Sequence, residues 1–103
     1  MGYHISMHVI TKSALVKFWT KHPDAQGPLQ DWFNTMEKQV FTDLVSLQEV
    51  FSSVDQVGNL TVFNIGGNKF RLIASIHYNR HKVYIRNVLT HAEYDHNDWK
   101  RRN

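Results

Sequence analysis

Residues 59–77 read Asn59-Leu60-Thr61-Val62-Phe63-Asn64-Ile65-Gly66-Gly67-Asn68-Lys69-Phe70-Arg71-Leu72-Ile73-Ala74-Ser75-Ile76-His77. Two runs rich in β-branched and aromatic side chains flank a Gly-Gly turn, which predicts strands over 59–65 and 70–77. In the second run Phe70, Leu72, Ala74 and Ile76 fall on one face and Arg71, Ile73, Ser75 and His77 on the other, because successive strand side chains point to opposite sides. Downstream, Tyr78-Asn79-Arg80-His81 reads as a hairpin loop and residues 82–89 as the last strand. A short polar helix or tail follows from Thr90.

Upstream the period becomes helical. Leu29, Trp32, Phe33, Met36 and Val40 recur at i, i+3, i+4, i+7 and i+11, the clearest periodicity in the chain. An earlier helix is predicted with Ala14, Leu15, Phe18 and Trp19 on one side and Thr11 or Ser13 as its cap. Pro23-Asp24 ends it, and Gly27-Pro28 is expected to break the chain again. A shorter helix carries Leu44, Leu47, Val50, Phe51 and Val54. Residues 3–10, with Ile5, Val9 and Ile10, alternate enough for a first strand. The order is strand, two to three helices, a three-stranded antiparallel meander and a short C-terminal helix. That is an α+β fold with the helices packed on one sheet face. The other face and its loops are left for function.

Composition bounds the possibilities. A chain of 103 residues with 42% hydrophobic and 13% aromatic content suits one domain spanning residues 1–103. There is no cysteine, hence no disulfide framework and no thiolate metal site. No apolar run approaches the roughly 18 residues that span a bilayer, and no cationic segment followed by an apolar one opens the chain. The expectation is a cytoplasmic protein without a membrane partner. Residues 1–6 match the Met-Gly-x-x-x-Ser myristoylation pattern, but Met7 looks like a natural start, and the first six residues are read as an upstream start or an expression remnant.

Charge is unevenly spread. Residues 1–68 carry four lysines against six acids, a net of −2, whereas residues 69–103 carry eight cations against three acids, a net of +5. A positive field concentrated in one third of a small domain attracts polyanions; a solvated basic face has the same composition.

Two stretches hold groups capable of chemistry. Asn64-Ile65-Gly66-Gly67-Asn68-Lys69-Phe70-Arg71 combines glycines, which let backbone approach a ligand, with amides and a planar guanidinium that grip a phosphate. The same residues also make a plain hairpin turn. Arg86-Asn87-Val88-Leu89-Thr90-His91-Ala92-Glu93-Tyr94-Asp95-His96 takes the last strand into a polar turn. Thr90 and Glu93 form a capping-box pattern. His91 can move protons near neutral pH, Tyr94 can stack on a base or bond to phosphate or ribose, and Asp95 can orient His91 or pair with Arg86. His77 with His81, or His91 with Asp95 and His96, are the remaining metal-ligand candidates, but no HExxH-type motif occurs, and no metal or cofactor is expected. RNA cleavage needs none. A ribose 2′-hydroxyl attacks the adjacent phosphate while the protein accepts one proton, donates another and stabilises charge.

The stretches 62–72 and 84–95 resemble the HigB toxins, a branch of the RelE/ParE superfamily. The opening Met7-His8-Val9-Ile10-Thr11-Lys12 is similar to that family's start, and Leu47-Gln48-Glu49-Val50-Phe51 with Val54-Asp55 matches more loosely. The resemblance implies a RelE-like fold and a type II toxin that cleaves mRNA, typically on the translating ribosome. It also implies a HigA-like helix-turn-helix antitoxin whose complex binds operator DNA and represses the operon. It places Asn64, Asn68, Arg71, Arg86, His91 and Tyr94 about a presumed cleft. Arg71, His91 and Tyr94 are the expected cleavage residues, and Asn64, Asn68, Lys69 and Arg86 the expected RNA and phosphate binders. Related RelE toxins use Lys, Arg and Tyr where this chain has a histidine, which leaves His91 open between acid, base and phosphate binder. Two other functions stay in play: a ParE-like gyrase poison, and a non-catalytic RNA-binding module, for which Tyr78 and Tyr84 are suggestive.

Overall fold

The computed structural model describes residues 6–96 and 98–102. Strand β1 (His8–Ile10) leads into helices α1 (Ser13–Lys21), α2 (Gln26–Lys38) and α3 (Leu44–Val50). Strands β2 (Asp55–Val57), β3 (Leu60–Ile65), β4 (Phe70–His77) and β5 (Lys82–Thr90) follow, and then the one-turn helix α4 (His91–Asp95). A 3-10 turn over Asp98–Arg102 comes last. The strands form a single sheet in the order β1-β5-β4-β3-β2. β1 pairs parallel to β5, and the remaining pairs are antiparallel.

The helix-facing side of the sheet holds the main core. Phe63, Ile65, Phe70, Leu72, Ala74, Val83 and Ile85 meet Leu15, Leu29, Trp32, Met36 and Leu47 there. Phe63 is its aromatic hub, with edge-on contacts to Trp32 at 5.4 Å and Phe51 at 5.1 Å between ring centroids. Such geometry adds stability beyond area burial alone. The predicted alternation of β4 is observed: Phe70, Leu72 and Ala74 pack under the helices, and Arg71 and Ile73 turn to the other side.

Several details differ from the sequence reading, each for a physical reason. The sheet has five strands because Asp55–Val57, which has no apolar alternation, adds as an edge through backbone pairing to Leu60–Val62. Helix α3 ends at Val50, so Val54 lies outside it as a buried anchor before β2. Gly27-Pro28 does not interrupt the chain. Both lie in the first turn of α2, where a proline removes no intrahelical hydrogen bond. Neither Thr11 nor Ser13 caps α1 through its side chain. Lys12 is the N-cap, and Thr11 sits at φ 74°, passing its carbonyl to the Ala14 N–H at 2.9 Å. The loop after β4 is a 3-10 turn over Tyr78–Arg80 closed by His81 in the left-handed region. Of the expected first strand only His8–Ile10 is extended and paired; residues 1–5, with the myristoylation pattern, lie outside the described residues.

The edge strand β1 is held from outside the sheet: the Val9 N–H donates to the Glu37 carboxylate at 3.0 Å. Near the far end of β4, burial pushes the Tyr78 phenol above its ordinary value of 10.0, and the Asp43 carboxylate adds to the shift. The fold therefore favours the neutral phenol. Its contribution is complete below the unfolded-chain value and is lost as pH rises through the folded-state value. Denaturant unfolding between pH 8 and pH 11 should show a steeper alkaline loss in the wild type than in Tyr78→Phe; parallel curves would contradict this.

Candidate functional site

The second side of the sheet is only partly open. Leu60, Val62 and Ile73 form a small apolar patch, and Trp99 from the C-terminal turn closes over it, with only 4% of its surface exposed. Tyr94 and Leu89 pack at its margin. The sequence reads as a polar helix or tail after Thr90, and the structure differs in placing this cover there. The one signal for it was a tryptophan in an otherwise charged tail.

The β3–β4 hairpin turns through Gly66 and Gly67 at φ 62° and 69°, a conformation that costs glycine little and other residues more. A side chain at Gly66 would also press on Pro28 and the Phe70 ring, at 3.6 and 3.7 Å. On leaving the turn, β4 carries Arg71 into a buried position with 7% exposure. Its guanidinium donates to the Asn68 carbonyl at 3.2 Å, the Asn68 Oδ1 at 2.8 Å and the Phe70 carbonyl at 3.1 Å. Arg71 thus braces the turn, and its charge lies over the Tyr94 ring at 5.2 Å.

Helix α4 starts where β5 ends. The expected capping box is present: Thr90 accepts from the Glu93 N–H at 3.2 Å, and Glu93 accepts from the Thr90 N–H at 2.9 Å. The His91 N–H donates to the Lys69 carbonyl at 3.0 Å, so the hairpin and α4 are joined by backbone as well as by Arg71 and Tyr94. The His91 imidazole lies 3.3 Å from the Asp95 carboxylate one turn on, and both are about half exposed. This is one of the two pairings open to Asp95. Lys69 reaches 3.5 Å from Asp24 across an exposed gap, a pairing worth little energetically.

Arg71, Asn68, Lys69, His91 and Tyr94 are therefore gathered at one corner of the sheet. Asn64 stands directly across the ladder from Arg71. Arg86 is set apart. It falls at the bulge between the Ile73–Asn87 and Ala74–Ile85 pairs, three residues before Leu89, the partner of Arg71, or roughly 10 Å along the strand. The gathering is an open surface rather than a closed pocket. A hollow of about 280 Å³ beside it is lined by Asn87, Leu89, Glu93, His96, Asp98 and Trp99.

A sheet covered by helices on one side, with a cation, a phenol and an imidazole at the corner where its last strand enters a capped turn, is consistent with the RelE-like toxin architecture. A model of HigB_toxin, described as the RelE-like toxic component of a toxin-antitoxin system, matches residues 25–97. The mRNA interferase toxin HigB of Escherichia coli K12 is 41% identical over 92 residues, spanning 86% of this chain and 88% of that protein. The mRNA interferase HigB of Shigella flexneri shows the same figures. The mRNA interferase HigB of Escherichia coli O6:H1 is 25% identical over 92 residues, spanning 86% and 89% of the two chains. The chain belongs to the HigB_toxin family.

Proposed function

We propose that this chain is an mRNA endoribonuclease, the toxin of a type II toxin–antitoxin pair, acting in the cytoplasm on ribosome-bound message. The observation that carries this reading is the convergence of Arg71, Tyr94 and His91 on one corner, tied by the Arg71–Tyr94 contact and the His91–Lys69 backbone bond. The names of the relatives support it. In the proposed reaction the 2′-oxygen bonds to the adjacent phosphorus and the bond from phosphorus to the 5′-oxygen breaks. A 2′,3′-cyclic phosphate and a 5′-hydroxyl remain. The 2′-hydroxyl gives up its proton and the departing 5′-oxygen takes one up; His91, oriented by Asp95, serves in this proton transfer. Arg71, in a low-dielectric setting, stabilises the charge that builds on the phosphoryl oxygens. Tyr94 orients the nucleotide, and Asn64, Asn68, Lys69 and Arg86 bind phosphate and sugar along the strand. The nucleophile belongs to the substrate, so no metal is required. A HigA-like helix-turn-helix antitoxin neutralises the toxin, and operator DNA is bound only through that complex.

Expression of wild type and His91→Ala with primer-extension mapping of transcripts tests this. The wild type should produce discrete cuts within coding regions, and the variant should lose roughly 100-fold or more in cleavage rate. Intact transcripts together with DNA-damage induction would point to gyrase poisoning. Salt-sensitive RNA binding without cuts would point to a binding module.

A further inference from the structure

Helix α4 has five residues, too few to hold itself in water. Its start is secured by the Thr90–Glu93 box, and at its end the His96 N–H donates to the Tyr94 carbonyl. Trp99 adds support from outside the helix in two ways. The indole lies nearly parallel to the phenol, with an interplanar angle of 13° and 5.1 Å between centroids. Its Nε1–H donates to the Tyr94 carbonyl at 3.0 Å. The indole is itself anchored on Leu60, Val62 and Ile73. The Lys100 ammonium lies 5.5 Å from its ring centroid, so the Tyr94 and Trp99 rings each contact a cation, Arg71 and Lys100 respectively.

We propose that Trp99 is a positioning residue for Tyr94, holding the phenol at the corner shared with Arg71 and His91. This rests on the ribonuclease reading above. It also refines the part Tyr94 plays. The ring already contacts both the Arg71 guanidinium and the Trp99 indole, which favours the hydroxyl over the ring as what Tyr94 offers to RNA. The contact is an orientation with a phosphate or ribose oxygen rather than a stack on a base.

The test compares steady-state cleavage of a translated message by wild type, Trp99→Ala and Trp99→Phe, each first confirmed folded by thermal unfolding. Trp99→Ala should lower kcat by roughly 10- to 100-fold while KM stays within about threefold, because misplacement of a reacting group acts on the chemical step. Trp99→Phe, which keeps an aromatic ring beside the phenol, should recover most of the loss. Because Trp99 acts through Tyr94, adding Trp99→Ala to Tyr94→Phe should cost no more than Tyr94→Phe alone. Should Trp99→Ala unfold, Trp99→Leu refills the apolar patch without stacking or donating and carries the same comparison. A folded variant that cuts as fast as wild type overturns the inference. One that cuts faster does so too, and marks the indole as a placeholder for a base. A wild-type chain that cuts no RNA overturns instead the reading on which the inference rests.

Discussion

Arg71→Ala should reduce mRNA cleavage by about 100- to 1,000-fold, the usual effect of deleting one preorganised charge stabiliser, and should weaken the fold as well. The structural half of this expectation follows from what the guanidinium touches. It satisfies two backbone carbonyls and the Asn68 amide oxygen, and buried acceptors left unpaired cost about 1–3 kcal/mol. It also loses its contact with the Tyr94 ring, so α4 is released from the hairpin on one side. Arg71→Lys separates the two effects. It restores the charge without the planar fork that reaches two acceptors at once, and should recover part of the cleavage while leaving the Asn68 turn loose. Denaturant unfolding and cleavage kinetics on the same preparations distinguish these contributions. A stable Arg71→Ala protein with wild-type cleavage would remove Arg71 from the site altogether.

The largest effect on stability is expected from Phe63→Ala. Phe63 is fully buried between Trp32 and Phe51, and truncation of a core phenylalanine costs about 3–5 kcal/mol through lost transfer energy and the cavity left behind. For a domain of this size that corresponds to a fall in Tm on the order of 20 °C. A marginally stable domain has little more than that to lose, so the variant should be partly unfolded at physiological temperature and inactive for that reason. Val45→Ala on exposed α3 surface serves as the control, with a change within about 0.5 kcal/mol. Scanning calorimetry on both variants decides the matter, and a small shift for Phe63→Ala would mean that the helices close over the vacancy.

The candidate site is legible in the sequence, though unevenly. The capping box at Thr90 and Glu93 is a local pattern and forms as written. The His91–Asp95 pair follows from four-residue spacing on a helix. Arg71 was legible as an unusual cation on a strand, but its burial was not. Whether a strand arginine faces water or is covered depends on what later chain returns over that face, and here the cover includes Tyr94 and, beside it, Trp99. Arg86 fits the expected cluster less well than its place in the motif suggested. The β-bulge displaces it, and bulges depend on pairing with a partner strand rather than on the strand's own sequence.

Taken alone, the order of residues determined the α+β class, the alternation that turns Phe70, Leu72 and Ala74 inward, the helical stripe of α2 and the turn chemistry at Gly66-Gly67. Each of these is set by contacts within a few positions along the chain, where period and backbone conformation are local properties. Tertiary structure decided the parallel docking of β1 on β5, the recruitment of β2 as an edge, the burial of Arg71 and the closing of Trp99 over the second sheet face. Those outcomes depend on pairings between residues tens of positions apart, whose free energy is gained only once the intervening chain has folded between them.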